Sequence, residues 1–272
     1  MTPDRRLVLA SGLALVAAPA LAIDPGSSSG AYRDDDADVA FRHATALERD
    51  NAEGLLDSAR EVRVALTDRE VPPSALYGQS FPPIWHMARR GEVKGVLIEF
   101  DPDDRTAVVV TVLAAPEPGY SLATLTISNS EGLWKTLDVS ATRISGELNP
   151  EASERLAARF SAPLFRDPVV ADIKGSAAAT AEPTGVVLAR AEAMIRGDMA
   201  AAMALSTEAG AARLKDLPPE AAPMIRRELP KMVARLKAAR RVVVREQTAV
   251  IFLGPKEYAS TVRVDGVWKV AD

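Results

Sequence analysis

By type and spacing, the residues of this chain that could do chemistry are two histidines, a run of aspartates and one Gly-x-Ser-x-Gly pentapeptide. His43 and His86 are the only histidines and cysteine is absent, so a zinc site would need carboxylate help. Neither histidine stands in an H-E-x-x-H pattern. His43 falls on the apolar side of its segment and reads as a hydrogen-bonded core histidine. His86 belongs to Phe81-Pro82-Pro83-Ile84-Trp85-His86-Met87, a rigid aromatic segment of the kind that lines a pocket or an interface; local packing is the simpler reading. Asp34, Asp35, Asp36 and Asp38 suggest a calcium loop, but Val39 and Thr45 stand where an EF-hand needs Gly and Glu. The cluster fits better in the first turn of a helix, where the dipole favours acidic residues. Gly26-Ser27-Ser28-Ser29-Gly30 matches the nucleophile-elbow pattern, yet it lies in a small polar stretch with no strand before it, so it reads as a flexible segment. The sequence therefore predicts no catalytic residue, no metal site and no cofactor.

Charge divides the chain. Residues 23–150 hold 12 Lys and Arg against 21 Asp and Glu, whereas residues 151–272 hold 19 against 15. Such an asymmetry supports a boundary between two units. Neither half is basic enough to point to nucleic acid. A basic set from Arg226 through Lys231, Arg235 and Lys237 to Arg245 lies on or after a predicted long helix. It reads as a binding surface for an acidic partner or anionic lipid, or as a solvated face docked on the acidic half.

Residues 1–22 have the order of a cleaved signal peptide. Arg5 and Arg6 precede an apolar run, and Ala20-Leu21-Ala22 closes it as a small-x-small cleavage site. The run is too short to span a bilayer, so no transmembrane segment is expected after cleavage. Arg5-Arg6-Leu7-Val8-Leu9 also fits a twin-arginine signal, leaving ordinary secretion and folded export both open. An exported chain without cysteine must be stabilised by its apolar core rather than by disulfides.

The patterns predict a flexible leader over 23–35 and an N-terminal α+β domain over 36–150. That domain would carry helices from Asp36 to about Asp50 and around Leu55–Val62, then strands at Val93–Phe100, Ala107–Ala114, Ser121–Asn129 and Trp134–Ile144. A connecting helix (Glu151–Phe160) and an Ala-rich linker fill 151–183. The C-terminal α+β domain, 184–272, would hold helices at Thr184–Arg196, Met199–Ala209 and about Glu220–Ala239, kinked at Pro230. Strands Val242–Arg245, Thr248–Leu253, Glu257–Val264 and Val267–Ala271 would follow, the last pair joined by an Asp265-Gly266 turn. The expected fold class is α+β, with two domains, each of helices packed on an antiparallel β-meander.

Ala191–Leu205 with its Gly197-Asp198 break, the long amphipathic helix, and the closing Val264-Asp-Gly-Val-Trp-Lys-Val270 together resemble the nuclear-transport-factor-like superfamily of cone-shaped α+β domains. The N-terminal half resembles a diverged copy, with Ala46–Leu56 matching Ala193–Met203 and Trp134-Lys135 matching Trp268-Lys269. The resemblance implies a cup in the C-terminal domain, and only the residues in that cup decide its activity. Isomerases of this superfamily use a carboxylate base and a Tyr or acid, for which Tyr258 and Asp265 are the nearest candidates. Met194, Met203 and Met232, facing Tyr258 and Trp268, are the expected ligand-binding set, since methionine adapts to varied apolar partners. The expected function is an exported, periplasmic or secreted, non-enzymatic binding or interaction protein whose cup takes a small apolar ligand, a peptide or a partner protein. A cofactor-independent isomerase or hydrolase using the same cup is the alternative.

Overall fold

A computed structural model describes residues 26–35, 37–50, 60–78, 82–104, 108–114, 122, 124–125, 132–218, 221–254 and 257–271. The fold is α+β with mostly antiparallel sheets. Ten strands build the first sheet: β1 (Ser27–Arg33), β2 (Asp38–Ala40), β3 (His43–Asp50), β4 (Arg60–Thr67), β5 (Gly95–Phe100), β6 (Val108–Leu113), β7 (Thr124–Leu125), β8 (Trp134–Val139), β9 (Arg143–Leu148) and β10 (Leu156–Asp167). Their order is β7-β6-β5-β4-β3-β1-β10-β9-β8, with β2 beside β1. Strand β10 serves two partners along one edge: Leu156–Ser161 runs antiparallel to β1, and Leu164–Asp167 runs parallel to β3. That double pairing curls the sheet into a half-barrel.

Strict alternation explains why β4 is a strand. Val62, Val64 and Leu66 enter the inner core, where Phe100 and Phe160 flank Trp134 at ring-centroid distances of 5.1 and 6.3 Å. The intervening Ala65 belongs to the outer face, which Leu47 and Leu97 share and which Leu76, Ile84 and Val93 cover. This cover is a 3-10 turn at Pro73–Leu76, helix α1 (Pro83–Arg89), whose entry suits proline at the first helical position, and the segment at Val93 that leads into β5.

The second sheet is a five-stranded antiparallel series, β11 (Val169–Lys174), β12 (Arg241–Arg245), β13 (Thr248–Gly254), β14 (Glu257–Val264) and β15 (Val267–Ala271). Asp265 and Gly266 have φ of 52° and 78°, the left-handed pair that a two-residue hairpin turn requires. Between β11 and β12 come α2 (Glu182–Arg196), α3 (Met199–Ala204), α4 (Glu208–Lys215) and α5 (Ala221–Lys237). Gly197 ends α2 in the left-handed conformation, and Asp198 caps α3 by accepting from the Ala201 amide at 3.0 Å.

Several expectations are corrected. Within the expected first helix, Asp38–Ala40 and His43–Asp50 are strands, and residues 60–62 are strand as well; Asp36 and residues 51–59, which include most of the expected second helix, lie outside the described residues. Ala44 and Ala46 look toward the inner core while Leu47 packs outside, so both faces are apolar, and a doubly buried strand imitates a helical pattern. The leader is not loose over 27–33, because β1 is hydrogen-bonded to β10. Glu151–Phe160 is not a helix: it is turn followed by the start of β10. The Ala-rich stretch is a 3-10 helix, Gly175–Thr180, with Ala178 buried in the second core, rather than a linker. Helix Met199–Ala209 breaks at Leu205–Ser206, where Ser206 bridges to Val270. Trp134–Ile144 divides into β8 and β9, and of Ser121–Asn129 only residues 122, 124 and 125 are described. In the matched repeat, Ala46–Asp50 is strand where Ala193–Arg196 is helix.

Candidate functional site

Of the sequence-predicted ligand set, the structure brings Met232 and Trp268 to one core and places Met194, Met203 and Tyr258 elsewhere. Trp268 and Val270 share one face of the second sheet with Val242, Ile251 and Ala259, and α2 and α5 close that face through Val187 and Leu236. Trp268 is 2% exposed there, with the Arg263 guanidinium 4.6 Å from its ring centroid. Met232 packs at the margin of this core. Met194 and Met203 fill a separate cluster with Ala193, Ala202 and Leu214. Tyr258 pairs with Phe252, which pairs with Arg241, and an odd number of residues along β14 and its partner separates it from the Trp268 side. The two aromatic residues therefore face opposite sides of the sheet. Asp265 occupies the hairpin turn.

The Tyr258 face carries Val243, Arg245, Thr248, Val250, Ser260 and Val262, and it meets the first half of the chain. A slot of about 30 Å³ lies at this junction, with Arg49, Tyr77, Pro83 and His86 on one wall and Thr248, Val250, Ser260 and Val262 on the other. His86 thus does reach a cavity wall. A space this small holds one or two waters, well below the several hundred Å³ of a small-molecule site. Burial first, then the Asp167 and Glu246 carboxylates, push the Tyr77 phenol up to about 12, so it stays a hydrogen-bond donor at neutral pH. Asp167, 1% exposed, ties the halves together: it accepts from the Gln247 amide at 2.7 Å and the Thr248 hydroxyl at 2.5 Å. Arg245 donates to the Asp50 carbonyl at 2.6 Å across the same junction.

Behind Arg49 runs a buried ladder of alternating charge. Antiparallel register sets Arg49 opposite Glu61, and Arg63 opposite Glu99. Glu61 accepts from Arg49 Nε at 2.8 Å and Arg63 Nε at 2.9 Å, and Glu99 lies 3.0 Å from Arg63 Nε. Arg63 Nη1 also donates to the carbonyls of Leu76 and Gly78 at 2.8 and 2.7 Å, pinning the cover onto the sheet. Burial pushes the Glu99 carboxyl above its ordinary value. For Glu61 burial acts upward too, but Arg63 and Arg49 outweigh it and hold the carboxyl below the ordinary range. Nearby, Glu48 is clamped by Arg60 at 2.9 Å and Arg166 at 3.0 Å, joining β3, β4 and β10. These residues were missed because their segment reads as helical; the period of two in Glu61-Val62-Arg63-Val64 is the signal that would have found them.

The basic residues of α5 pair within their own half: Lys231 with Glu228 at 3.0 Å, Lys237 with Glu192 at 3.1 Å, and Arg235 with Glu257. Among the described residues no group of three or more His, Asp or Glu is placed to hold a metal, and no helix is long and apolar enough to cross a membrane. No family matches the chain, and neither does any curated protein or solved structure.

Proposed function

We propose that this chain is an exported, non-enzymatic binding or interaction protein that recognises its partner through outer surfaces rather than inside the C-terminal cup. The observation that carries this reading is the closing of the cup face of the second sheet: helices bury Trp268 there, and on the opposite face the first half of the chain lies against Thr248, Val250 and Val262. A small apolar ligand would have to displace packed side chains there. We also propose two units meeting at Asp167–Val169, a reading supported by separate apolar clusters on either side of that point. The order of α2, α3, α5 and the closing strands supports membership of the C-terminal unit in the nuclear-transport-factor-like superfamily. Native mass spectrometry of the protein purified from its source tests the functional reading. A co-purifying polypeptide or polar molecule is expected. A bound apolar molecule that is lost in Met203→Asp, with the fold intact, would overturn it and restore the cup.

A further inference from the structure

The first half is acidic overall, and nearly all of its described cations are neutralised. Arg33 pairs with Asp38, Arg49 with Glu61, Arg60 with Glu48 and Asp103, Arg90 with Glu92, and Lys135 with Glu147. Arg63 is held by Glu61 and Glu99, Arg69 by Asp68, and Arg89 and Arg143 have polar contacts of their own. Among the described residues of this half, two basic side chains have no such contact, Arg42 and Lys94. Both line the same cleft of about 470 Å³, together with Arg69, Asp68, Asp38 and the β2 backbone.

This convergence is built by the chain's own framework. The Arg42 amide donates to the Thr67 carbonyl at 2.9 Å, the Asp68 amide to the Lys94 carbonyl at 2.9 Å, and the Lys94 amide to Asp68 Oδ1 at 2.8 Å. Those bonds lock the β2–β3 corner, the end of β4 and the start of β5 side by side. Phe41 and Val93, 4% and 0% exposed, anchor the chain beside Arg42 and Lys94 in the two apolar cores, and both cations are left exposed. The carboxylates of the cleft are already committed, Asp68 to the Lys94 amide and Arg69, Asp38 to Arg33. Three cations, Arg42, Lys94 and Arg69, stand against two carboxylates, Asp68 and Asp38, at one concave place, and this excess of positive charge favours a negatively charged group. The volume falls within the range of small-molecule sites.

We infer that this cleft binds a small molecule through an anionic phosphate or carboxylate group held between Arg42 and Lys94. The guanidinium offers a planar fork and the ammonium a compact charge, a combination suited to such groups. The inference rests on the reading of the chain as a binding protein, and names the ligand chemistry.

The test uses the full chain, titrated with inorganic phosphate and separately with succinate, and followed by amide NMR. Saturable shifts confined to residues 38–42, 68–69 and 94 are expected, weakening as sodium chloride is raised. Arg42→Gln with Lys94→Gln should weaken binding at least about tenfold, the effect of losing one or more charge-assisted bonds, at unchanged melting temperature because both side chains are exposed. Sedimentation with vesicles containing anionic lipid separates a free ligand from a headgroup: co-sedimentation lost in the double variant would assign the cleft to a membrane surface. Shifts scattered over every basic surface, or binding indifferent to the double substitution, would overturn the inference. Such a failure leaves the partner reading standing, since mass spectrometry of the source protein tests that on its own.

Discussion

At the scale of single residues, the charged ladder between β3, β4 and β5 is the feature with the largest energetic stake. Removing one member of a buried, hydrogen-bonded ion pair leaves the other desolvated and unpaired. Arg63→Ala strips Glu61 and Glu99 of a partner and frees the cover carbonyls of Leu76 and Gly78. Urea melts should show a loss of about 3–5 kcal/mol. Glu99 supplies the pH dependence. Its carboxyl is raised in the folded state by burial, so the folded chain holds that proton to higher pH than the unfolded chain does. The resulting stability is present below the ordinary carboxylate pKa and is lost as pH rises through the folded value. Thermal melts from about pH 4 to 8 should therefore show wild type losing ground to Glu99→Gln as pH increases. A gap between the two that stays constant would mean that Glu99 is not the titrating group.

At the scale of elements, the Gly26–Gly30 pentapeptide shows how one motif can be legible in composition and illegible in role. Its small residues look like a flexible leader, yet Gly30 sits at φ 112°, and a Cβ there would come within 2.0 Å of the Ala157 carbonyl oxygen. Glycine is present because β1 must lie flush against β10, a partner so far along the chain that no local pattern announces it. Gly30→Ala should lower the melting temperature by about 4–8 °C, as expected for about 2 kcal/mol lost in a chain of this size; a silent substitution would show that β1 is loosely held. The helices of the second half were legible because their signals are local: the Gly197-Asp198 break, the caps, and apolar faces spaced for 3.6 residues per turn. Leu236 closes the α5 face on the second core at 0% exposure. Leu236→Ala should cost about 2–5 kcal/mol in denaturant melts.

At the scale of the whole molecule, the sequence conveys the strands from Gly95 onward in the first half, those from Arg241 onward in the second, and the charge difference between the halves, but not how the halves meet. Charge composition suggested that the basic helix docks on acidic residues; instead α5 pairs with its own half, and the junction relies on Asp167, Arg245 and the carbonyl of Asp50. Those contacts join residues that no spacing rule connects. The export reading is checked at the other end of the chain: N-terminal sequencing of exported protein should begin at Ile23, and a start at Met1 would remove the signal peptide from the account. The double pairing of β10 also has a consequence in time. Neither β1 nor β3 has its β10 neighbour until Leu156–Asp167 has been made, so the half-barrel cannot close in the order in which it is synthesised. Loop closure over that span must come before its contacts repay it, which places folding among the slow, non-local topologies. Refolding after dilution from urea should proceed on a scale of milliseconds to seconds or slower, and a chain truncated before Leu156 should be caught with its sheet open and prone to pairing with other copies.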